Sequence, residues 1–445
     1  MARFLWHMLG GALFALAIVT AAPAVAATAA DQAAYDAAFD AMQADPGNSD
    51  KALAYAEAAV KVGDLEGAIG ALERLLIFNP DLPRIRLELG VLYYRLASYD
   101  LARSYLGPLA DRADLPDDVR SKSKEYLAQI DRAASQHQIS GALLSGFRYQ
   151  TNATYGPGGS SIRILGLDFP VASNVNKKPD ANFFGLGGLR YVYDFQQADP
   201  LTIETNLTLY GAKQFRQTRL DLSLTQLDVG PRIGLSGLHE GANIRPYVVG
   251  DFLSLGGSSF MNSYGGGFSF YTPIVDKVGI DTLFELQNRQ YPVDAARPRV
   301  EARNGDFVVV RAAPYYELAD NQRISLIGEL DRTMAVQGFE RNTQFVLGPS
   351  YMIRFVPPLE QLGTRAWTGT IGFNRVWRYY ASPDLLVDPF NTRRDSEWNV
   401  GGTLEIGLMD QLSLLLQLQH SWVDSTIPNY SYRNLVGAMA LGFTF

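Results

Sequence analysis

Leu435-Val436-Gly437-Ala438-Met439-Ala440-Leu441-Gly442-Phe443-Thr444-Phe445 closes the chain on an alternation of large apolar residues with small or polar ones. Leu435, Met439, Leu441, Phe443 and Phe445 fall on one side, and Ala438, Ala440, Gly442 and Thr444 on the other. Successive residues of a strand point to opposite faces, so period two reads as a β-strand with one apolar face. The pattern recurs upstream. In Gln411 to Trp422, Leu412, Leu414, Leu416 and Leu418 oppose Gln411, Ser413, Gln417 and Gln419. In Leu201 to Leu209, Ile203, Leu207 and Leu209 oppose Thr202, Glu204, Asn206 and Thr208. Trp398, Val400, Leu404, Ile406 and Leu408 oppose Glu397, Asn399, Thr403 and Glu405.

Working outward from these segments, the spacing predicts strands over 139–150, 184–195, 201–212, 220–235, 243–253, 260–270, 276–290, 304–317, 321–333, 342–356, 364–380, 393–408, 411–423 and 432–445. That makes fourteen, an even number. Linkers after even strands are mostly short (Gln196 to Pro200, Tyr271 to Val275, Leu318 to Asp320, Met409-Asp410), whereas Thr151 to Phe183, Tyr291 to Arg303 and Ala381 to Thr392 are long. Even strand number, short turns at one end and long loops at the other are the signature of a transmembrane antiparallel β-barrel. A terminal amphipathic strand ending on Phe443 and Phe445 resembles the signal that barrel-assembly machinery reads in bacterial outer-membrane proteins. With the apolar set facing lipid, Arg190, Asp194, Glu204, Asp281, Glu285, Glu329, Asp331, Arg354, Arg378 and Glu405 face the lumen. They read either as a polar route for a client or as a salt-bridged plug, since buried charges must be paired in both cases.

The preceding third is helical and repeats itself at an interval of 34: Ala56 with Gly90, Ala59 with Tyr93, Ala68 with Ala102, Leu72 with Leu106. That period, with small residues where helices cross, is the signature of a tetratricopeptide α-solenoid. Repeats are expected over about 49–82 and 83–116, with a preceding helix at 30–45 and a closing one from Asp117 to Ala134. Gly63-Asp64 and Ala97-Ser98 fall in the turns, and Asn79-Pro80-Asp81 marks the junction, because proline cannot continue a helix. Solenoids bind partners on a concave face. Counting along the second repeat puts Arg84, Leu87, Val91, Tyr94 and Arg95 in that groove; alternatively Leu87 and Val91 are core and the arginines a solvated edge. At the start, Arg3, the apolar run Leu9 to Val19 and Ala24-Val25-Ala26 read as a secretory signal peptide. The expected organisation is therefore a signal peptide at 1–26, a periplasmic repeat domain at 27–136, and a barrel at 137–445 in the outer membrane.

A net charge of −7 argues against a nucleic-acid partner. The absence of cysteine excludes thiol catalysis, disulfides, cysteine-ligated metal and a lipid-bearing N-terminal cysteine. The four histidines, His7, His137, His239 and His420, are too far apart in sequence for a metal motif. His420 cannot pair with Ser421 on one strand face, because that needs i, i+2 spacing, and beside Trp422 it reads as an interfacial girdle residue. Gly256-Gly257 and Gly265 to Gly267 lack a following helix and lysine and read as loops rather than phosphate cradles. No cofactor, metal or catalytic residue is expected.

Signal peptide, repeats and a fourteen-strand barrel together resemble the surface lipoprotein assembly modulators, outer-membrane translocators assigned to type XI secretion. The resemblance is carried by Leu115-Pro116-Asp117-Asp118-Val119-Arg120 through Tyr126-Leu127-Ala128-Gln129-Ile130, by Ser173-Asn174-Val175-Asn176, and by the closing strand from Tyr432-Arg433-Asn434 to Phe445. Ala172 stands where the family usually has Asp, and a Gly/Ser insertion, Gly156 to Ser161, precedes it. The resemblance implies a non-enzymatic function. The repeats would receive a client protein or its periplasmic chaperone, and the barrel would deliver a lipoprotein or a haem- or metal-scavenging protein to the surface. Barrel-assembly machinery and outer-membrane lipid are the other expected partners. The rival expectations are a polysaccharide exporter and a passive nutrient channel.

Overall fold

The computed structural model describes residues 29–171, 176–197, 199–357 and 365–445. The expected leader at 1–26 lies outside them, as do Ser173, Asn174 and Val175 of the Ser173–Asn176 run. The described chain forms two compact units, one helical and ending at Gln138, the other running from Ile139 to Phe445.

The helical unit has six helices: α1 Ala29–Ala44, α2 Ser49–Val62, α3 Leu65–Phe78, α4 Pro83–Arg95, α5 Tyr99–Ala110 and α6 Asp117–Ala133. The pair α4/α5 starts 34 residues after α2/α3, at 83 against 49 and at 99 against 65. Local chemistry sets these boundaries. The Asn48 side chain accepts from the Asp50 and Lys51 amides at 3.0 and 3.2 Å, and the Asp64 side chain from the Gly67 amide at 2.9 Å. Each satisfies donors that a first helical turn leaves open. Gly63 ends α2 at φ 87°, where glycine pays no steric cost. Ala68 and Ala102 are fully buried at the helix crossings, and any side chain at Gly90 would press on Leu106. Tyr93 and Tyr105 both donate to Glu73, at 2.6 and 3.0 Å, tying the second pair to the first.

Ala97 occupies the α4–α5 turn at φ 56°, a region that L side chains populate at a cost. Ala97→Gly is therefore expected to stabilise this pair by about 1 kcal/mol. The readout is roughly fivefold slower hydrogen exchange of the α4 and α5 amides in the detergent-solubilised full chain.

The second unit is a closed barrel of fourteen strands, each hydrogen-bonded antiparallel to its chain neighbours. Its strands are β1 His137–Gln150, β4 Asp180–Asp194, β5 Leu201–Gln214, β6 Leu222–Gly234 and β7 Asn243–Leu255. They continue with β8 Ser258–Val275, β9 Val278–Gln290, β10 Gly305–Ala319, β11 Gln322–Ala335 and β12 Asn342–Phe355. The last are β13 Trp367–Tyr380, β14 Arg394–Gly407, β15 Leu412–Ser425 and β16 Tyr432–Thr444. A small hairpin, β2 Ser161–Ile164 with β3 Leu167–Pro170, stands apart from the wall inside the first long loop. Sequence reading missed it, because four-residue strands are too short to show a period.

Closure rests on the segment quoted first. β16 pairs with β1 from Ala142↔Thr444 to Gln150↔Val436, and Gly141 and Phe445 exchange backbone hydrogen bonds of 2.9 and 3.0 Å. The alternation holds around the wall. Phe147, Leu209, Val248, Leu286, Val310, Leu330, Phe345, Ile371, Val400, Leu418 and Met439 are all exposed on the outer face. One expectation fails here: Gly265 to Gly267 are wall, inside β8, not loop. A side chain at Gly265 would run into the Leu286 carbonyl oxygen, so the close approach of β9 is what requires glycine. Gly256-Gly257, by contrast, is the turn between β7 and β8, both residues at positive φ.

Candidate functional site: the lumen and its cap

Inward residues come from every strand, and register decides which they are. Arg190, Asp194, Glu204, Asp281, Glu285, Glu329, Asp331, Arg354, Arg378 and Glu405 all sit on the side of the wall opposite the exposed apolar residues. Glu204, 2% exposed, is the hub of one network. It accepts from Arg190 at 2.6 Å and from Arg232 at 2.7 and 3.1 Å, with Arg245 at 3.3 Å. Arg245 also pairs with Asp228. A second network runs round the other side of the wall. Arg311 donates to Glu329 at 2.7 Å, Gln344 to Asp331 at 2.6 Å and Arg378 to Gln344, while Arg378 lies 3.6 Å from Asp395. Tyr247 donates to Glu285 at 2.7 Å. Asp194 instead accepts from the Gln196 amide at 2.8 Å and shapes a short turn. Asp281 and Arg354 are exposed, and Glu405 is half-buried, on the inner face.

Burial along the inner face follows a gradient. On β14, Asp395, Glu397 and Asn399 are buried near the long-loop end, whereas Thr403 and Glu405 are partly open. On β12 the inner face runs from buried Gln344 to exposed Arg354, and on β4 from buried Asn182 and Phe184 to exposed Arg190. The lumen is therefore a vestibule, open toward the short turns and filled toward the long loops.

The filling is built by the chain itself. Inward Leu144, Phe184, Leu186, Tyr210, Leu222 and Leu253 form an apolar cluster, and Tyr155 of the first long loop packs against it. Tyr155 meets the Tyr432 ring edge-on at 5.2 Å. Asn152, fully buried, accepts from the Gly156 amide at 3.0 Å, and its own backbone amide donates to the Asn434 side-chain oxygen at 2.9 Å. The β2–β3 hairpin then locks onto the loop between β13 and β14. The Leu165 and Gly166 amides donate to the Leu386 and Val387 carbonyls at 3.1 and 3.0 Å. Arg163 reaches Asp388 at 2.9 Å and Asp168 at 2.8 Å, and its backbone amide donates to Asn429 at 2.6 Å. A third loop joins where Arg299 comes within 3.6 Å of Asp384.

The Asp388 carboxylate, 1% exposed, is held down to about 2. The Asn391 side-chain amide is the largest cause, joined by the Phe390 and Asn391 backbone amides and by the Arg163 guanidinium. Asp294, in the loop between β9 and β10, is likewise held at about 2, chiefly by Arg297. Nothing in the sequence marks Arg163, Asp388 and Asn429 as neighbours, because they lie 225 and 266 residues apart along the chain from Arg163. Arg232, Arg245, Asp228 and Asp395 were also passed over. Strand alternation would have found them once the register was known.

The groove expectation is corrected in part. Leu87 and Val91 are buried in a cluster with Leu106, Leu109, Val119 and Ile130 and line no open surface. An inner-helix stripe at i, i+4 serves core and groove equally well in sequence, and here α5 and α6 cover it. Tyr94 is half-buried edge-on against Tyr126 at 5.7 Å, while Arg84 and Arg95 are exposed. The most exposed large apolar residues described in this unit are instead Ile77 and Phe78, 77% and 69% exposed. In the barrel, His420 and Trp422 share the outer face with rings 4.1 Å apart, and Ser421 points inward to Asn399 at 2.5 Å.

No protein-family model and no curated protein matches the chain. Among solved structures it is similar to the outer membrane channel DcaP of Acinetobacter baumannii, at 8% identity and TM-score 0.37 over 69% of this chain and 97% of that one. A bacterial polysaccharide outer membrane secretin matches at 10% identity and TM-score 0.35, over 68% of this chain and 98% of the other. An outer membrane channel from Pseudomonas putida F1 matches at 14% identity and TM-score 0.35, over 69% and 95%. Likenesses this remote leave the barrel to stand on its own strand pairing.

Proposed function

We propose that this chain is a gated transport protein of the bacterial outer membrane that delivers a client protein from periplasm to surface, its helical unit acting as a tetratricopeptide-type receiver. The observation that carries the reading is the asymmetric lumen: accessible from the short-turn end, stoppered by the protein's own loops at the other. A passive nutrient channel needs a standing pore, whereas a stoppered vestibule suits cargo that arrives from the short-turn side and opens the cap. The apolar outer face supports membrane insertion, since a soluble barrel would reverse that polarity. Short turns belong on the periplasmic side, and β1 starts at the short-turn end, which supports a periplasmic reading of the preceding chain. Phe443 and Phe445, stacked at 6.1 Å on the outer face of the closing strand, are suited to recognition by barrel-assembly machinery. A polysaccharide exporter is less favoured, because Trp367, Trp377, Trp398 and Trp422 all face outward, leaving no indole in the lumen for sugar stacking among the described residues.

The test is deletion of residues 30–134, scored by protease accessibility of surface proteins on intact cells expressing the full chain or the deletion. The barrel is expected to remain inserted, because helical repeats hold mainly neighbour contacts, while client display falls to background. Arg84→Glu with Arg95→Glu is expected to weaken display without lowering barrel abundance. Undiminished display after the full deletion would exclude the hand-off.

A further inference from the structure

Two outward-facing basic residues near the long-loop end have carboxylate partners. Arg433 pairs with Asp424 at 3.0 Å and Lys213 with Asp221 at 2.9 Å. The face of β11 to β14 differs. Arg332, Thr343, Tyr379 and Arg394 stand in one register row across these four adjacent strands, all on the outer side. Four residues below Tyr379 on β13 lies Arg375, between Leu347 and Trp398 in register. Its guanidinium stacks 4.0 Å from the Trp398 ring centre and 5.4 Å from that of Trp377. Among the described residues no carboxylate pairs with Arg332, Arg375 or Arg394, and the outer face of these strands carries no Asp or Glu. One nitrogen of Arg375 is buried without a hydrogen-bond partner.

An arginine held on aromatic rings and facing lipid is fixed in place yet electrostatically unsatisfied. Guanidinium groups bind phosphate oxygens in pairs, and a cationic patch at a membrane boundary draws anionic headgroups. Strands lie about 4.8 Å apart, so Arg332 and Arg394 are separated by roughly 14 Å, with the hydroxyls of Thr343 and Tyr379 between them. We propose that this patch binds the phosphates of a phosphorylated glycolipid in the outer leaflet, with Arg375 beneath the row contacting the headgroup from the acyl side. The inference rests on the membrane reading above. It assigns the occupant to lipid rather than to free anion because Trp377, Trp398, Phe345 and Ile371 continue the patch downward as an apolar wall.

The experiment uses the full chain purified in mild detergent, with diphosphorylated hexa-acyl disaccharide glycolipid as probe and retention read by native mass spectrometry. Wild type is expected to retain the glycolipid about tenfold more tightly than R332Q/R375Q/R394Q. R433Q is expected to match wild type. Millimolar inorganic phosphate should not displace the lipid; displacement would overturn the lipid assignment in favour of a soluble anion. Equal retention by wild type and triple variant would overturn the site itself. Heat-modifiable gel mobility reports barrel folding separately. If the triple variant does not fold, R332Q/R394Q with Arg375 intact carries the same comparison. A wild-type chain that folds yet never enters outer membranes would refute the membrane reading instead.

Discussion

Leu416→Arg is expected to abolish barrel insertion, and Gln417→Arg, one residue along, to leave it intact. Leu416 faces outward, 36% exposed, in register with Leu404 on β14 and Met439 on β16. All three lie well inside the apolar band. A cationic side chain at the bilayer midplane costs about 2–4 kcal/mol, a large part of the stability a barrel has to lose. Gln417 points the other way, opposite Thr403 and Ala438, into the water-accessible part of the lumen. There a guanidinium keeps its hydration. The measurement is heat-modifiable mobility of membrane fractions. Equal tolerance of the two substitutions would show the register to be wrong by one residue, because a slip of one exchanges every side chain between faces.

The second large effect concerns the cap. Replacing the loop between Thr151 and Asp180 with a short Gly-Ser turn removes Asn152, Tyr155 and the β2–β3 hairpin together. It is expected to raise influx of a bulky antibiotic by roughly tenfold or more, because the remaining wall is that of a wide barrel with a polar interior. Arg163→Gln with Asp388→Asn should open the cap less, since the Leu165 and Gly166 backbone bonds persist. The latch has a defined pH behaviour. Asp388 is held at about 2, below its unfolded value near 4, so its contribution is fully present above that value and is lost as pH falls through 2. Conductance in planar bilayers should be flat from pH 5 to 8 and rise only between pH 4 and 2. Opening near pH 6 would rule out the Asp388 latch as the closing element.

Strand number, strand order and the inward set were legible in the sequence because each rests on local information. Side chains alternate with period two, and turn length differs between the two ends. Gln411 to Trp422 declares its faces without reference to any other segment, and β14 and β16 then agree with it residue for residue. The helix pairs at 49–78 and 83–110 were legible from small and apolar residues that recur at an interval of 34. Leu87 and Val91 were ambiguous because an apolar stripe does not say what covers it. That depended on α6, a helix outside the repeat.

Alternation along the chain thus determined which residues face lipid and which face the lumen, since the pleat of a strand leaves no other choice. Only the tertiary structure decided what the lumen is. Alternation alone does not choose a partner for Arg190 among the inner-face carboxylates; it meets Glu204 because β4 and β5 pair at Arg190↔Asn206. The cap brings Arg163, Asp388 and Asn429 together from three separate loops. Loop backbone has no period to read, and its conformation is set by hydrogen bonds to partners hundreds of residues away, which exist only after the barrel has closed.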